Sequence, residues 1–157
     1  MASGDERAGT LDLDGSELRV AIISSRWNDT IVDRLVEGAI RGLHNFGVTQ
    51  IEDVSVPGAF ELPLAAKIVA TSGEVDAVVV LGAVIRGETT HYELVAGECG
   101  RGIQNVQLQT GVPIGFGVLT VEDQAQALAR SEADGGHNVG EEAATVAVEL
   151  ALLKQSW

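Results

Sequence analysis

Ala77-Val-Val-Val-Leu-Gly-Ala83 is apolar at every position, with three valines in succession. It is far too short for a membrane span, which needs roughly 18 to 20 apolar residues, and its valines favour the pleated backbone. A strand apolar on both faces has to be covered on both faces, as in a parallel sheet between two layers of helix. Leu18-Arg-Val-Ala-Ile-Ile-Ser24 is a second run of this kind. A third strand is expected over 51–56 and a fourth over 113–119, where Pro113 comes first and costs no ladder bond.

Between these runs the apolar spacing turns helical. Ile31, Val32, Leu35, Val36, Ala39, Ile40 and Leu43 share one face, with Asp29 as the expected cap and Gly47 as the stop. Further helices are expected over 59–72 with Pro63 in the first turns, about 92–109 ending at Gly111, 122–130 and 140–153. Strand followed by helix, repeated, predicts an α/β doubly wound sandwich: a four-stranded parallel sheet with helices on both faces. Residues 1–16, rich in Gly, Asp and Ser, are expected to be a flexible arm ahead of a single domain over 17–157.

Composition narrows the function. A chain of 157 residues is one domain by length and buries roughly 70% of its unfolded surface. Aromatics make up only 4%, so the core is aliphatic and an aromatic in a turn carries information. A net charge of −13 repels nucleic-acid phosphates and anionic lipid, which argues against both partners. Any anionic ligand must meet a local cluster of donors. The single cysteine, Cys99, excludes an intramolecular disulfide and suits a reducing compartment, and its helical position reads as filler. With no apolar signal core near the N-terminus, the cytoplasm is the expected location. Three scattered histidines offer no ligand spacing, so no metal is expected; no Gly-x-Ser-x-Gly elbow occurs either.

In parallel α/β sheets ligands bind beyond the C-terminal ends of the strands, which gives four turns to inspect. Ser25-Arg-Trp27-Asn28 could stack a flat heterocycle on Trp27 and hydrogen-bond its edge through Asn28. The plainer alternative is a Trp over the sheet end and an Asn capping the helix. Val56-Pro-Gly58-Ala59-Phe60-Glu61-Leu-Pro63 presents backbone groups, an aromatic and a carboxylate, suited to a planar ligand bearing hydroxyls or an amine. Here the alternative is a helix start with Glu61 favouring the dipole.

The richest turn is Ala83-Val84-Ile85-Arg86-Gly87-Glu88-Thr89-Thr90-His91. Gly87 can bring backbone N–H groups close to a ligand, Thr89 and Thr90 add hydroxyls, Arg86 adds charge, and a helix N-terminus follows. Together they form an anion nest, with His91 beside it as a proton carrier. No Gly-Lys-Ser/Thr follows, which argues against a nucleoside triphosphate as the target. The fourth strand carries Phe116, and Arg130 closes the next helix, where an arginine can also simply answer the dipole. Acid–base and electrostatic chemistry on a phosphorylated small molecule and a planar partner remains.

At these residues the chain resembles the lumazine synthases of riboflavin biosynthesis. The likeness is carried by Val56-Pro-Gly-Ala-Phe-Glu-Leu-Pro63, by Leu81-Gly-Ala-Val-Ile-Arg-Gly-Glu-Thr-Thr-His91, and by Phe116-Gly-Val-Leu-Thr120 with Gln126, Ala127 and Arg130 at matching spacing. The resemblance implies a flavodoxin-like fold. It implies condensation of 5-amino-6-ribitylaminouracil with 3,4-dihydroxy-2-butanone 4-phosphate, giving 6,7-dimethyl-8-ribityllumazine, phosphate and water without metal or cofactor.

By position, Trp27 would stack on the pyrimidine where phenylalanine is more usual. Asn28, Gly58, Ala59, Phe60, Glu61, Ala83, Val84 and Ile85 would line its ring edge and ribityl chain. Gly87, Glu88 (through its backbone) and Thr89 would cradle the phosphate. His91 and Arg130 would be the catalytic pair, with Phe116 and Arg130 supplied by a neighbouring subunit. Two departures stand out. His137-Asn-Val139-Gly140 lacks the lysine many members carry, and its loop is slightly longer, which by resemblance favours a homopentamer over a sixty-subunit icosahedral shell. A flavin-binding module or a scaffold with a vestigial pocket are the rival readings.

Overall fold

A computed structural model describes Gly9 and residues 11–157. Its strands are β1 (Arg19–Ser25), β2 (Gln50–Val56), β3 (Ala77–Ile85) and β4 (Ile114–Val121), and its helices are α1 (Asp29–Asn45), α2 (Leu62–Ala70), α3 (His91–Thr110), α4 (Gln124–Leu128) and α5 (Val139–Ser156). The strands form one sheet in the order β2-β1-β3-β4, parallel throughout. This is the doubly wound α/β fold expected from the sequence.

Alternation along β3 explains the two layers. Val79, Leu81 and Ala83 point into one core with Leu35 and Leu43 of α1 and Ala144, Ala147 and Val148 of α5. Val78, Val80 and Val84 point into the other, with Leu62 and Ala66 of α2 and Cys99, Ile103 and Val106 of α3. β3 is buried from Ala77 to Val84. β2 lies at an edge, where Glu52 and Asp53 are exposed, charges that discourage pairing with another sheet.

Helix α5 comes close to its neighbours because glycines stand at the contacts, one on β4 and one on α5 itself. A Cβ added at Gly115 of β4 would stand 2.0 Å from the Ala143 carbonyl oxygen, and one at Gly140 would stand 2.1 Å from the Leu35 carbonyl oxygen. Small residues on α5 (Ala143, Ala144, Ala147 and Ala151, all buried) complete the fit.

Boundaries differ from expectation in local ways. Asn28, not Asp29, occupies the cap position of α1. Residues 59–61 form a single 3-10 turn, so α2 starts at Leu62, with Pro63 in its first turn where no N–H is needed. Helix α4 is shorter than the 122–130 expected, and α5 runs on to Ser156. Gly47 and Gly111 end their helices in the left-handed conformation, with φ of 80° and 69°. Of the expected N-terminal arm, residues 1–8 and 10 lie outside the described residues. Leu13 packs against the α1/α5 core, and the Gly15 N–H donates to the Phe46 carbonyl at 2.7 Å. Among the described residues no helix is long and apolar enough to cross a membrane.

Candidate active site

Three turns at the C-terminal edge of the sheet are tied together by hydrogen bonds. The Arg26 N–H donates to the Val56 carbonyl at 2.9 Å, and the Trp27 N–H to the Pro57 carbonyl at 3.2 Å. Asn28 then joins the first turn to β3: its Nδ2 donates to the Ala83 carbonyl at 2.9 Å. Its backbone is left-handed, φ 60° and ψ 46°, the one positive φ outside glycine among the described residues. Asparagine tolerates that region better than other side chains. Its amide makes no helix-capping bond, so the side chain serves the sheet end while the backbone carbonyl accepts from the Ile31 and Val32 N–H groups of α1.

Asn28→Ala is therefore expected to destabilise the protein by about 1–2 kcal/mol, through the strained backbone and the lost bond. Asn28→Gly, which takes that backbone angle freely, should cost less. Urea unfolding of both variants checks this; equal losses would contradict the role given to the backbone.

The cleft between these turns has two joined compartments. One, of about 200 Å³, is lined by Trp27, Asn28, Ala59, Ala83, Val84, Ile85, Gly87, Thr89 and His91, with Tyr92 and Val95 added from α3. The other, about 360 Å³, is lined by Trp27, Pro57, Gly58, Ala59, Phe60, Glu61, His91, Leu94 and Val95. Trp27, Ala59, His91 and Val95 border both. The Trp27 side chain is 70% exposed, so its ring is available as a platform and is not packed over the sheet end. Glu61 lies over Gly58: a Cβ there would be 3.1 Å from Oε2 and 3.9 Å from the Trp27 ring. A side chain at Gly87 would meet nothing within 4 Å, leaving its backbone open to a ligand.

His91 is the first residue of α3, and its N–H donates to Thr89 Oγ1 at 3.3 Å. The exposed imidazole thus stands at a helix N-terminus, with the threonine turn folded beneath it. Arg86 behaves differently from the sequence expectation of a charge offered to the anion nest. Its guanidinium donates to Glu93 Oε1 and, at 2.8 Å, to Glu122 Oε2. It also lies 4.2 Å from the centroid of the Tyr92 ring. The bond from Arg86 holds the Glu93 carboxyl below the ordinary range and raises the arginine in turn.

Glu88 is exposed in the same turn but does not border the cleft. Phe116, on β4, and Arg130, beyond α4, lie outside it too. Arg130 Nη1 donates to the Gln126 carbonyl at 3.0 Å. His137 Nε2 lies 3.2 Å from Glu142 Oε1 and so turns towards α5, while Asn138 caps that helix by accepting from the Glu141 N–H at 3.1 Å. Burial pushes the Cys99 thiol up to about 12, which removes it as a nucleophile. Among the described residues no group of three or more His, Cys, Asp or Glu could hold a metal ion.

Sequence reasoning missed Tyr92, Leu94 and Val95. For Leu94 and Val95 the signal was available: residues three and four after His91 share its face of a helix.

Large apolar side chains of the α2 and α3 layer are exposed: Phe60, Leu64 and Ile68 around α2, Leu94 and Leu108 on α3. So broad an apolar face on one chain marks an interaction surface.

Comparison with known proteins places the chain in a family. A family profile described as 6,7-dimethyl-8-ribityllumazine synthase matches residues 17–155. A protein of that name from Kineococcus radiotolerans is 49% identical over 143 residues, covering 90% of this chain and 88% of its own length. Another so named, from Thermococcus gammatolerans, is 47% identical over 139 residues, covering 88% of this chain and 89% of its own.

Proposed function

This chain belongs to the 6,7-dimethyl-8-ribityllumazine synthase family of riboflavin biosynthesis, and we propose that its reaction runs in the cleft between Trp27 and His91. The observation that carries this reading is that both side chains border the two adjoining compartments of the cleft, with Glu61 lining the larger one. The planar 5-amino-6-ribitylaminouracil stacks on Trp27, and its ring edge and ribityl chain meet Asn28, Gly58, Ala59, Phe60, Glu61, Ala83, Val84 and Ile85. The phosphate of 3,4-dihydroxy-2-butanone 4-phosphate sits against the backbone of Gly87 and the hydroxyl of Thr89, with the Glu88 backbone reaching it from the same turn at the rim of the cleft.

The amine attacks the ketone carbon and water leaves, giving an imine. Phosphate is then eliminated, and the second nitrogen closes the ring on the remaining carbonyl carbon with loss of a second water. His91 carries protons between these steps. No step changes an oxidation state through an external oxidant, which suits a reaction free of metal and cofactor. The buried Cys99 suits a reducing cytoplasm.

Within one chain Arg130 and Phe116 lie away from this cleft. Both complete the site of a neighbouring copy, docked on the exposed apolar face of α2 and α3. The assembly is a homopentamer, the longer 131–138 loop disfavouring a closed shell. Arg130→Ala is expected to raise KM for the phosphorylated substrate roughly ten- to a hundred-fold, the worth of one charged hydrogen bond, with kcat less affected. An unchanged KM would remove Arg130 from the phosphate site.

The reaction itself is tested by incubating the wild-type protein with both substrates in EDTA. Lumazine fluorescence with one phosphate released per product is expected, and no product from folded oligomer would sink the reading.

A further inference from the structure

Arg86 joins two parts of the chain that carry different halves of the site. On one side, the guanidinium binds Glu93 in the first turn of α3 and lies against Tyr92, which borders the cleft next to His91. On the other side, it donates to Glu122 just beyond β4, and its own backbone N–H donates to the Val121 carbonyl at 2.9 Å. From Glu122 the contacts continue. Its N–H donates to Gln126 Oε1 at 2.8 Å, and the Gln126 carbonyl accepts from Arg130 Nη1 at 3.0 Å.

We propose that Arg86 is a positioning residue for both halves of the site: through Glu93 and Tyr92 it fixes the turn that presents His91, and through Glu122 and Gln126 it fixes the turn that presents Arg130. The inference rests on the roles given to His91 and Arg130 above. A forked guanidinium suits the task, since it can hold two carboxylates at set angles where an ammonium cannot. Because Arg130 serves the neighbouring copy, each Arg86 braces two adjacent sites.

The side chains concerned are partly exposed, and exposed ion pairs add little to stability. Orientation in the active site, by contrast, is sensitive: a displacement near 1 Å can cost about a hundred-fold in rate. The two effects separate experimentally. Glu93→Gln is expected to lower kcat about ten-fold or more with KM for the phosphorylated substrate nearly unchanged. Glu122→Gln should instead raise that KM with kcat nearly held. Arg86→Ala should do both, Arg86→Lys should recover only part, and the melting temperature should barely move in the two isosteric glutamine variants.

Kinetics like the wild type's in Arg86→Ala would overturn the proposal. So would equal changes in kcat and KM in both glutamine variants together with lowered melting. A folded wild type that makes no lumazine would overturn the site reading and this inference with it.

Discussion

Replacing His91 by alanine is expected to lower turnover by about 10²- to 10⁴-fold, the usual worth of a positioned proton carrier, or roughly 3–5 kcal/mol of barrier. The titratable side chains bordering the cleft are His91, Glu61 and Tyr92. Glu61 lies over Gly58 against the Trp27 side of the cleft, on the second turn of the sheet edge. His91 stands on the third, at the head of α3, beside the open backbone of Gly87. In the proposed binding mode, imine formation, phosphate elimination and ring closure each move a proton near that position. Removing the imidazole leaves Trp27, Asn28 and Phe60 intact, so affinity for the pyrimidine substrate should stay within a few-fold. Titration followed by Trp27 fluorescence, beside steady-state turnover, separates the two. Equal losses in both would show that His91 binds and does not shuttle protons.

Gly115→Ala is expected to destabilise the protein by at least about 3 kcal/mol, the upper end of ordinary overpacking. The new Cβ would lie 2.0 Å from the Ala143 carbonyl oxygen and 2.7 Å from its carbon, both backbone atoms of α5. No rotamer change relieves such a clash; the helix itself has to move. That shift would carry into Gly140, whose own contact with the Leu35 carbonyl oxygen is equally close. The melting temperature should fall by roughly 6–12 °C for a domain of this size. A fall of less than about 2 °C would mean that α5 can slide off the sheet without penalty, against the packing described here.

The parts of the fold that could be read from the chain were those set by local pattern. β3 is apolar at each step because it is covered on both faces, and α1 shows its buried stripe at helical spacing. Boundaries were less legible where two chemistries compete. Asp29 looks like a cap by residue type, yet Asn28 takes that place because its left-handed backbone and the Ala83 carbonyl fix it there. The short helix α4 carries too little pattern to show its limits.

In the site, the turns could be listed from the sequence, but what each charge faces could not. Arg86 reads as an anion ligand until Glu93 and Glu122, seven and thirty-six residues away, are seen to occupy it. Tyr92 and Val95 border the cleft because α3 begins at His91, one residue earlier than the pattern predicts.

In the proposed assembly the working site combines His91 of one copy with Arg130 of the next. Co-expressing the His91→Ala and Arg130→Ala chains tests it most directly. In mixed oligomers with equal shares, about a quarter of the boundaries pair an intact His91 with an intact Arg130. At a phosphorylated-substrate concentration well below the KM of the Arg130 variant, activity should therefore rise clearly above that of either variant alone. Activity no greater than the average of the two separate variants, in oligomers shown to be mixed, would contradict a site shared between copies.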